Sequence, residues 1–522
     1  MRVLIREPIA DAGVELLRSR FEVDVDLESP LEEIIGDYDA IVIRSATKLT
    51  RDVIDRGARL KVIGRAGVGV DNVDVDAATR RGIVVANAPE STIVSAAEQT
   101  IGLIVALARN IPQAHAALKQ GRWERSRYGG IELAGKTLGV IGFGRIGQQV
   151  ARRALGLAMN VVAYDPFVGR DRFRDLGVEQ VETLDELFGA ADVVTLHSPL
   201  TDETRCLVDR DAIARMRDGA RLVNAARGAL VDEEALAEAI RSGKLAGAAL
   251  DVFSAEPYTG PLLELDQVVV TPHLAASTDE AQDRAGVIVA EQVVAALDGG
   301  IVTNAVNIPV VDQADLEVLG PFIPLASLLG RIAVELAVGA PERIAVATHG
   351  PLSEYDTRLL TAAALNGVFQ ERVDQVVNVV NATVIAAERG IDVVEERNRA
   401  SRDYSNTVEV RLVSDGEEVN VSGTTIGPEP RLFLGGALGF GIDLEIAPHM
   451  VFVRYSDQPG VIGRVGSMFG DAGLNIANMA VSRTKEGGEA LMVFSIDSPA
   501  TSALVDQLHA MGFDDVRFVE LG

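Results

Sequence analysis

The sequence predicts an α/β chain. Two doubly wound parallel-sheet lobes fill residues 1–306, an α+β intervening domain follows, and a βαββαβ ferredoxin-like domain ends it. Three observations carry this. Short apolar runs alternate with helix-periodic stretches from Val3 to Val270, the pattern of parallel strands joined by crossover helices. One of those runs enters a glycine-spaced turn at Gly142 and leads through a helix to a second strand. Residues 449–522 read strand, helix, strand, strand, helix, strand.

In chain order, Val3-Leu4-Ile5 is a strand and Ala12 to Arg20 a helix. Val23-Asp24-Val25 precedes a helix near Leu31 to Ile35. Ala40-Ile41-Val42-Ile43 runs into Arg44-Ser45-Ala46-Thr47, Lys61-Val62-Ile63-Gly64 runs into Arg65 and on to Asn72, and Ile83-Val84-Val85 closes the series. In such sheets ligands bind beyond the C-terminal strand ends, where Arg44 and Arg65 stand. Two arginines there suit an anion held by forked hydrogen bonds; otherwise each pairs with a nearby acid. Ser91 to Leu107 reads as a long Ser-capped helix leading into the second lobe. The loop Gly121 to Gly130 carries the only tryptophan, Trp123, among three arginines. Either it touches an anion or a partner subunit, or Trp123 anchors it by burial.

The strand Leu138 to Ile141 runs into Gly142-x-Gly144-x-x-Gly147. A helix to Leu157 and a strand, Asn160 to Tyr164, lead to Asp165. Gly142 permits the tight turn, Gly144 lets backbone approach a pyrophosphate, and Gly147 lets helix pack on strand. The helix N-terminus offers free N–H groups to the phosphates. Asp165 lies 18 residues past Gly147, near the ~20 expected of the acid that binds a ribose 2′-hydroxyl. Its carboxylate repels a 2′-phosphate, so NAD is expected rather than NADP. Further strands end at His197-Ser198, at Ala225-Ala226-Arg227-Gly228, at Glu256-Pro257 and at Thr271-Pro272-His273, before a return helix from Ser277 to Leu297.

An arginine, an acid and a histidine thus share the edge where a dinucleotide lies. Hydride transfer from an alcohol needs a base for the hydroxyl proton and a cation for a neighbouring carboxylate. His273 is the candidate base, Glu256 its orienting partner and Arg227 the carboxylate clamp. His197 is a rival base without an acid at a comparable strand end.

Composition narrows the function. The net charge of −27 opposes a general nucleic-acid role, and it requires local basic residues wherever an anion binds. No run of about 18 uncharged apolar residues appears, so no membrane partner is expected. The single cysteine, Cys206, excludes an internal disulfide and a Cys-based zinc site; it reads as a small semi-buried side chain, and no metal is expected. With no signal-peptide pattern after Met1, a cytoplasmic location is the expectation.

Residues 1–305 resemble the D-isomer-specific 2-hydroxyacid dehydrogenases. The resemblance rests on the glycine fingerprint with Asp165, on Asn224-Ala225-Ala226-Arg227-Gly228, on Asp251-Val252-Phe253-Ser254-Ala255-Glu256-Pro257, and on Pro272-His273-Leu274-Ala275-Ala276-Ser277-Thr278. It implies a substrate lobe (1–92, rejoined by 286–306) and a Rossmann-type NAD lobe (93–285), with the active site in the cleft between them. It implies Arg227, Glu256 and His273 as the catalytic set. It also implies an NAD site lined by Gly142, Gly144, Arg145, Ile146, Gly147, Asp165, Ser198, Ala225, Ala226, Arg227, Asp251, His273, Leu274, Ala275 and Ala276. Arg44-Ser45-Ala46-Thr47 and Gly64 to Asn72 look like the substrate-side motifs of members that act on 3-phospho-D-glycerate. That makes Arg44, Ser45, Arg65 and Gly67 the implied substrate contacts.

From about Val311 the character changes. Residues 314–337 form a helix-like apolar run, and 434–441 a glycine-rich turn region. The segment 313–446 resembles the intervening effector or assembly domain of the family's long form. In 449–522 the strand Met450 to Tyr455, the turn Asp457-Gln458-Pro459-Gly460 with its helix, and Leu474-Asn475-Ile476 resemble ACT regulatory domains. A hairpin at Glu486-Gly487-Gly488, a helix from Ser502 to Met511 and a strand from Val516 to Val519 complete the order. ACT domains bind amino acids at paired interfaces, so a homodimer or homotetramer is implied. By position Tyr455, Asp457 and Asn475 match residues that contact an L-serine effector, though some members carry a histidine and an asparagine where Tyr455 and Asp457 stand. Two other readings stay open: another D-2-hydroxy acid as substrate, with 2-oxoglutarate as the reduced form's counterpart, or an NAD-sensing scaffold without turnover.

Overall fold

A computed structural model describes residues 1–309, 313–401, 403–500, 502–510, 513 and 515–521; Val311 and Met511 lie outside them. The first sheet has five parallel strands in the order Glu22–Val25, Arg2–Ile5, Ala40–Ile43, Val62–Arg65, Val84–Ala86. Apart from the edge strand Glu22–Val25, its strands are largely apolar at successive positions because helices cover both faces. Leu4, Ile41 and Ile63 pack on one side, Val3, Val42 and Val62 on the other. The helix Asp279–Leu297 belongs to the second side, where Ala285, Val289, Val293 and Leu297 join that core. It crosses the helix Asp11–Arg18 so closely that a Cβ on Gly13 would lie 2.6 Å from the Gly286 carbonyl oxygen.

The second sheet has seven parallel strands in the order Val268–Val270, Leu245–Leu250, Ala220–Asn224, Val193–Leu196, Thr137–Ile141, Asn160–Tyr164, Glu179–Gln180. The order reverses between Val193–Leu196 and Thr137–Ile141, which opens the crevice typical of dinucleotide sheets. The helix Ile93–Arg109 leads in. It is not Ser-capped: the Ser91 hydroxyl donates backward to the Ala88 carbonyl, and the Ser91 carbonyl accepts both Nε and Nη2 of Arg284. The return helix, by contrast, is capped by the Thr278 hydroxyl, which accepts from the Ala281 N–H.

Two local expectations fail in this half. Trp123 is 82 % exposed, so burial does not anchor its loop; Arg127 bonded to Asp266 (2.9 Å) and Asn110 bonded to the Gly129 carbonyl (2.8 Å) hold it instead. Cys206 is exposed rather than semi-buried, on the outside of a turn that bonds to Ala229 through its backbone N–H.

The C-terminal half holds a six-stranded mixed sheet in the order Asp392–Asn398, Arg343–His349, Thr407–Ser414, Glu417–Ile426, Arg431–Ala437, Phe440–Glu445. The 434–441 stretch is therefore mostly strand, turning only at Leu438 and Gly439. The apolar run 314–337 is two helices, Gln313–Leu319 and Phe322–Leu336, because Gly320 ends the first and Pro321, lacking an N–H, starts the second. The last sheet is antiparallel, in the order Ile476–Arg483, Glu489–Ile496, His449–Ser456, Asp515–Glu520. Helices Val461–Asp471 and Ser502–Ala510 join these strands in the expected βαββαβ order. One face of this sheet packs with the helix Val461–Asp471, through Val451, Val453 and Phe494. The other face puts Phe452, Leu491 and Val493 into one core with Leu325 and Leu329 of the Phe322–Leu336 helix, so the two C-terminal units share it. Among the described residues no helix is long and apolar enough to cross a membrane.

Candidate active site

The C-terminal ends of both parallel sheets face a cleft of about 630 Å³. Arg44, Ser45, Arg65 and Gly67 line it from the first sheet, and Glu256, His273 and Ala276 from the second. Residues more than two hundred positions apart therefore meet only through the pairing of lobes.

On the second-sheet side, the His273 Nδ1 lies 2.9 Å from a Glu256 carboxylate oxygen. The other Glu256 oxygen accepts the Phe253 N–H at 3.1 Å. His273 Nε2 makes no hydrogen bond among the described residues. His273 occupies left-handed backbone (φ 55), and the loop around it is fastened to Asp251. That carboxylate is fully buried and accepts the Thr271 hydroxyl (2.5 Å), the Leu274 N–H (2.8 Å) and the Ala275 N–H (2.8 Å). Asp251, expected to line the cofactor site, is buried here and anchors the His273 loop. The loop bearing Glu256 is held by Glu233, which accepts the Ser254 N–H and hydroxyl. It also lies hard against Gly228: a Cβ there would come 1.8 Å from the Phe253 carbonyl carbon. That contact interlocks the Arg227 and Glu256 loops.

Arg227 reaches across to the first lobe. Its Nε is 3.7 Å from an Asp71 oxygen, and a Cβ on Gly69 would sit 2.6 Å from its guanidinium. Arg65 folds back over Gly67, which only a glycine allows, since a Cβ there would overlap the guanidinium. Burial, and next the neighbouring Arg227 charge, push the Arg65 guanidinium down from its ordinary value. Its Nε is buried without a partner among the described residues. Like charges held together with an unmet donor favour a bound anion.

The residues of the glycine turn suit a dinucleotide. Gly142 takes φ 90 and passes directly against the His197-Ser198 peptide. A Cβ on Gly147 would lie 2.1 Å from the Gly142 carbonyl oxygen, while Gly144 faces open space. The helix Arg145–Gly156 starts there without a side-chain cap, leaving its first N–H groups for phosphate. Arg145 pairs with Glu90 at 2.8 Å, and Ile146 packs into the lobe's core. Ser198, Ala225 and Ala226 stand on neighbouring strand ends, and Asn224 braces the last of these through the Ala226 N–H and the Arg227 carbonyl. Asp165 accepts the Phe143 N–H (2.8 Å) and the Phe167 N–H (2.9 Å), which fixes its orientation and leaves lone pairs for hydroxyl donors. Leu274, Ala275 and Ala276 follow His273 along the same rim. His197 faces Thr195 at 3.1 Å, and burial pushes its imidazole down to about 4.

Residues 101–275 match the NAD-binding domain of the D-isomer specific 2-hydroxyacid dehydrogenases, 318–433 the D-3-phosphoglycerate dehydrogenase intervening domain, and 449–513 the ACT domain. A D-3-phosphoglycerate dehydrogenase of Archaeoglobus fulgidus is 44 % identical, and one of Methanocaldococcus jannaschii 43 %, each over 100 % of both chains. The chain belongs to the D-3-phosphoglycerate dehydrogenase family. Among solved structures, D-lactate dehydrogenase of Aquifex aeolicus, complexed with NAD and lactic acid, aligns with TM-score 0.52 at 30 % identity, covering 59 % of this chain and 99 % of its own. A glyoxylate reductase of Paecilomyes thermophila gives 0.54 at 32 %, covering 59 % and 98 %.

The residues matched to the family's effector contacts are not brought together within one chain. Strands His449–Ser456 and Ile476–Arg483 run the same way, each antiparallel to Glu489–Ile496. Tyr455 and Asp457 lie at the end where these strands finish, and Asn475 at the end where the second begins. Asp457 is bonded to Arg483 at 2.9 Å and to the Gly487 N–H at 3.3 Å, and Asn475 to Asp497 at 3.1 Å. Tyr455 stands edge-on to Phe513.

Sequence reasoning missed Asp251's anchoring role, Glu233, Glu7 and Asn72. Glu7 stands 37 residues before Arg44 and Asn72 closes the Gly64–Asn72 motif, but their side chains bond backbone atoms of the Arg44–Thr47 loop, and such contacts leave no residue pattern.

Proposed function

We propose that the chain oxidises 3-phospho-D-glycerate to 3-phosphohydroxypyruvate with NAD, the first step of L-serine synthesis, and that L-serine inhibits it through the C-terminal domain. It would act in the cytoplasm as a homodimer or homotetramer. The observation that carries this reading is that Arg44 and Arg65 face the His273–Glu256 pair across one cleft, with Arg227 reaching over beside Arg65. A 2-hydroxy acid with a phosphate has two anionic ends, and the cleft has two cationic positions for them.

Arg227 holds the substrate carboxylate beside C2. Arg44 and Arg65 receive the phosphate, the unpartnered Arg65 Nε among the donors. His273 Nε2 takes the C2 hydroxyl proton as the C2–O bond becomes a carbonyl. Glu256 accepts from Nδ1, fixing the tautomer and stabilising the imidazolium that forms. Bound NAD supplies the acceptor for the C2 hydride. Gly142, Gly144 and the helix start after them would hold its pyrophosphate, and Asp165 its ribose hydroxyls.

A nicotinamide absorbance assay tests this with NADH and 3-phosphohydroxypyruvate, beside pyruvate, glyoxylate and 2-oxoglutarate, each with and without L-serine. Preference for the phosphorylated keto acid, suppressed by serine, is expected. Turnover of an unphosphorylated acid alone would remove the phosphate role of Arg44 and Arg65. Insensitivity to serine would remove the regulatory role alone.

A further inference from the structure

Glu7 lies just beyond the strand Arg2–Ile5, outside every motif that marks the cleft. One carboxylate oxygen accepts the N–H groups of Arg44 (2.9 Å) and Thr47 (2.8 Å), and the other that of Ala46 (3.1 Å). On the opposite side of the same tetrapeptide, the Asn72 amide donates to the carbonyls of Arg44 (2.7 Å) and Thr47 (2.6 Å). Backbone N–H groups that converge in this way form an anion-binding nest. Here the chain's own carboxylate fills the nest. The loop therefore offers the cleft its side chains, Arg44 and Ser45, rather than its backbone donors. Burial opposes ionisation of Glu7, but the three backbone donors outweigh it and hold the carboxyl below its ordinary range. Its charge also steadies the buried Arg65 guanidinium against Arg227.

We propose that Glu7 is a positioning residue: by filling the nest of the Arg44–Thr47 loop it aims Arg44 at the phosphate end of the substrate. This rests on the phosphorylated substrate proposed above.

Glu7→Gln keeps the size of the side chain but turns an N–H₂ group toward N–H donors, so the loop loses its hold. The KM for 3-phosphohydroxypyruvate should rise roughly tenfold, the scale of one lost charge-assisted hydrogen bond. The kcat and the KM for NADH should stay as in the wild type. Glu7→Asp, which keeps the charge on a shorter stem, should recover part of the shift. It also serves as the readable variant if the glutamine form does not fold. An unchanged KM, or a fall in kcat and melting temperature without a selective change in KM, overturns the positioning role. Failure of the wild type to reduce the phosphorylated keto acid would instead overturn the substrate reading, and this inference with it.

Discussion

His273 sits in backbone that non-glycine residues seldom adopt, and a fully buried carboxylate with three bonds to its loop keeps it there. The histidine is thereby presented to the cleft at one angle, with Glu256 behind it. His273→Ala should lower turnover at least ~100-fold, measured as steady-state kcat with the substrate affinity followed separately; near-normal turnover would return the proton transfer to another group. His197 is a poor substitute, because an imidazole held at about 4 accepts a proton reluctantly at neutral pH. The pairing of His273 with Glu256 was legible in the sequence, since both residues follow strand ends of one parallel sheet. The anchoring bonds of Asp251 were not legible: an acid after a strand can face the crevice or turn beneath it, and only the loop's path decides.

At the scale of elements, close approach does what side chains alone cannot. The helices Phe322–Leu336 and Arg358–Phe369 cross at two glycines. A Cβ on Gly330 would lie 2.0 Å from the Ala364 oxygen, and one on Gly367 1.8 Å from the Ser327 oxygen. Gly367→Ala should therefore lower unfolding free energy by about 1–3 kcal/mol, as overpacking does, while leaving kcat alone; a denaturant midpoint equal to the wild type would show that the crossing yields without cost. The 434–441 stretch shows the limit of glycine as a turn signal. Gly435 lies beneath the Tyr404 ring, where a Cβ would meet the ring carbon at 3.0 Å, so its smallness serves packing within a ladder. Composition alone does not separate these two uses. The order of strands and helices in the first half was readable because the inner parallel strands are apolar on both faces and their crossovers are helix-periodic; the polar edge strand Glu179–Gln180 carries no such signal and was not read.

For the whole molecule, the charge of −27 sets a field that opposes compaction. Raising KCl from about 0.05 M to about 1 M shortens the screening length to roughly 3 Å and should raise the melting temperature. The same salt should weaken binding of the phosphorylated substrate, because its anionic ends are read by arginine charges that salt screens. A melting temperature that falls with added KCl would mean that local ion pairs outweigh the general repulsion. The division into two parallel lobes and a C-terminal half was legible, whereas the fusion of the last two units was not taken from the sequence. Its sign was nonetheless present: Met450-Val451-Phe452-Val453 has no polar alternate, and a strand without one is covered on both faces.

That double covering bears on how such chains can be recombined. A regulatory unit grafted from a relative at the boundary near residue 449 would bring a foreign underside to the shared core, and deletion there would strip that core of Phe452, Leu491 and Val493. Exchange of sensing properties between family members therefore calls for transplanting the mixed sheet, its two glycine-crossed helices and the terminal sheet as a single cassette, with the donor's own buried seam intact.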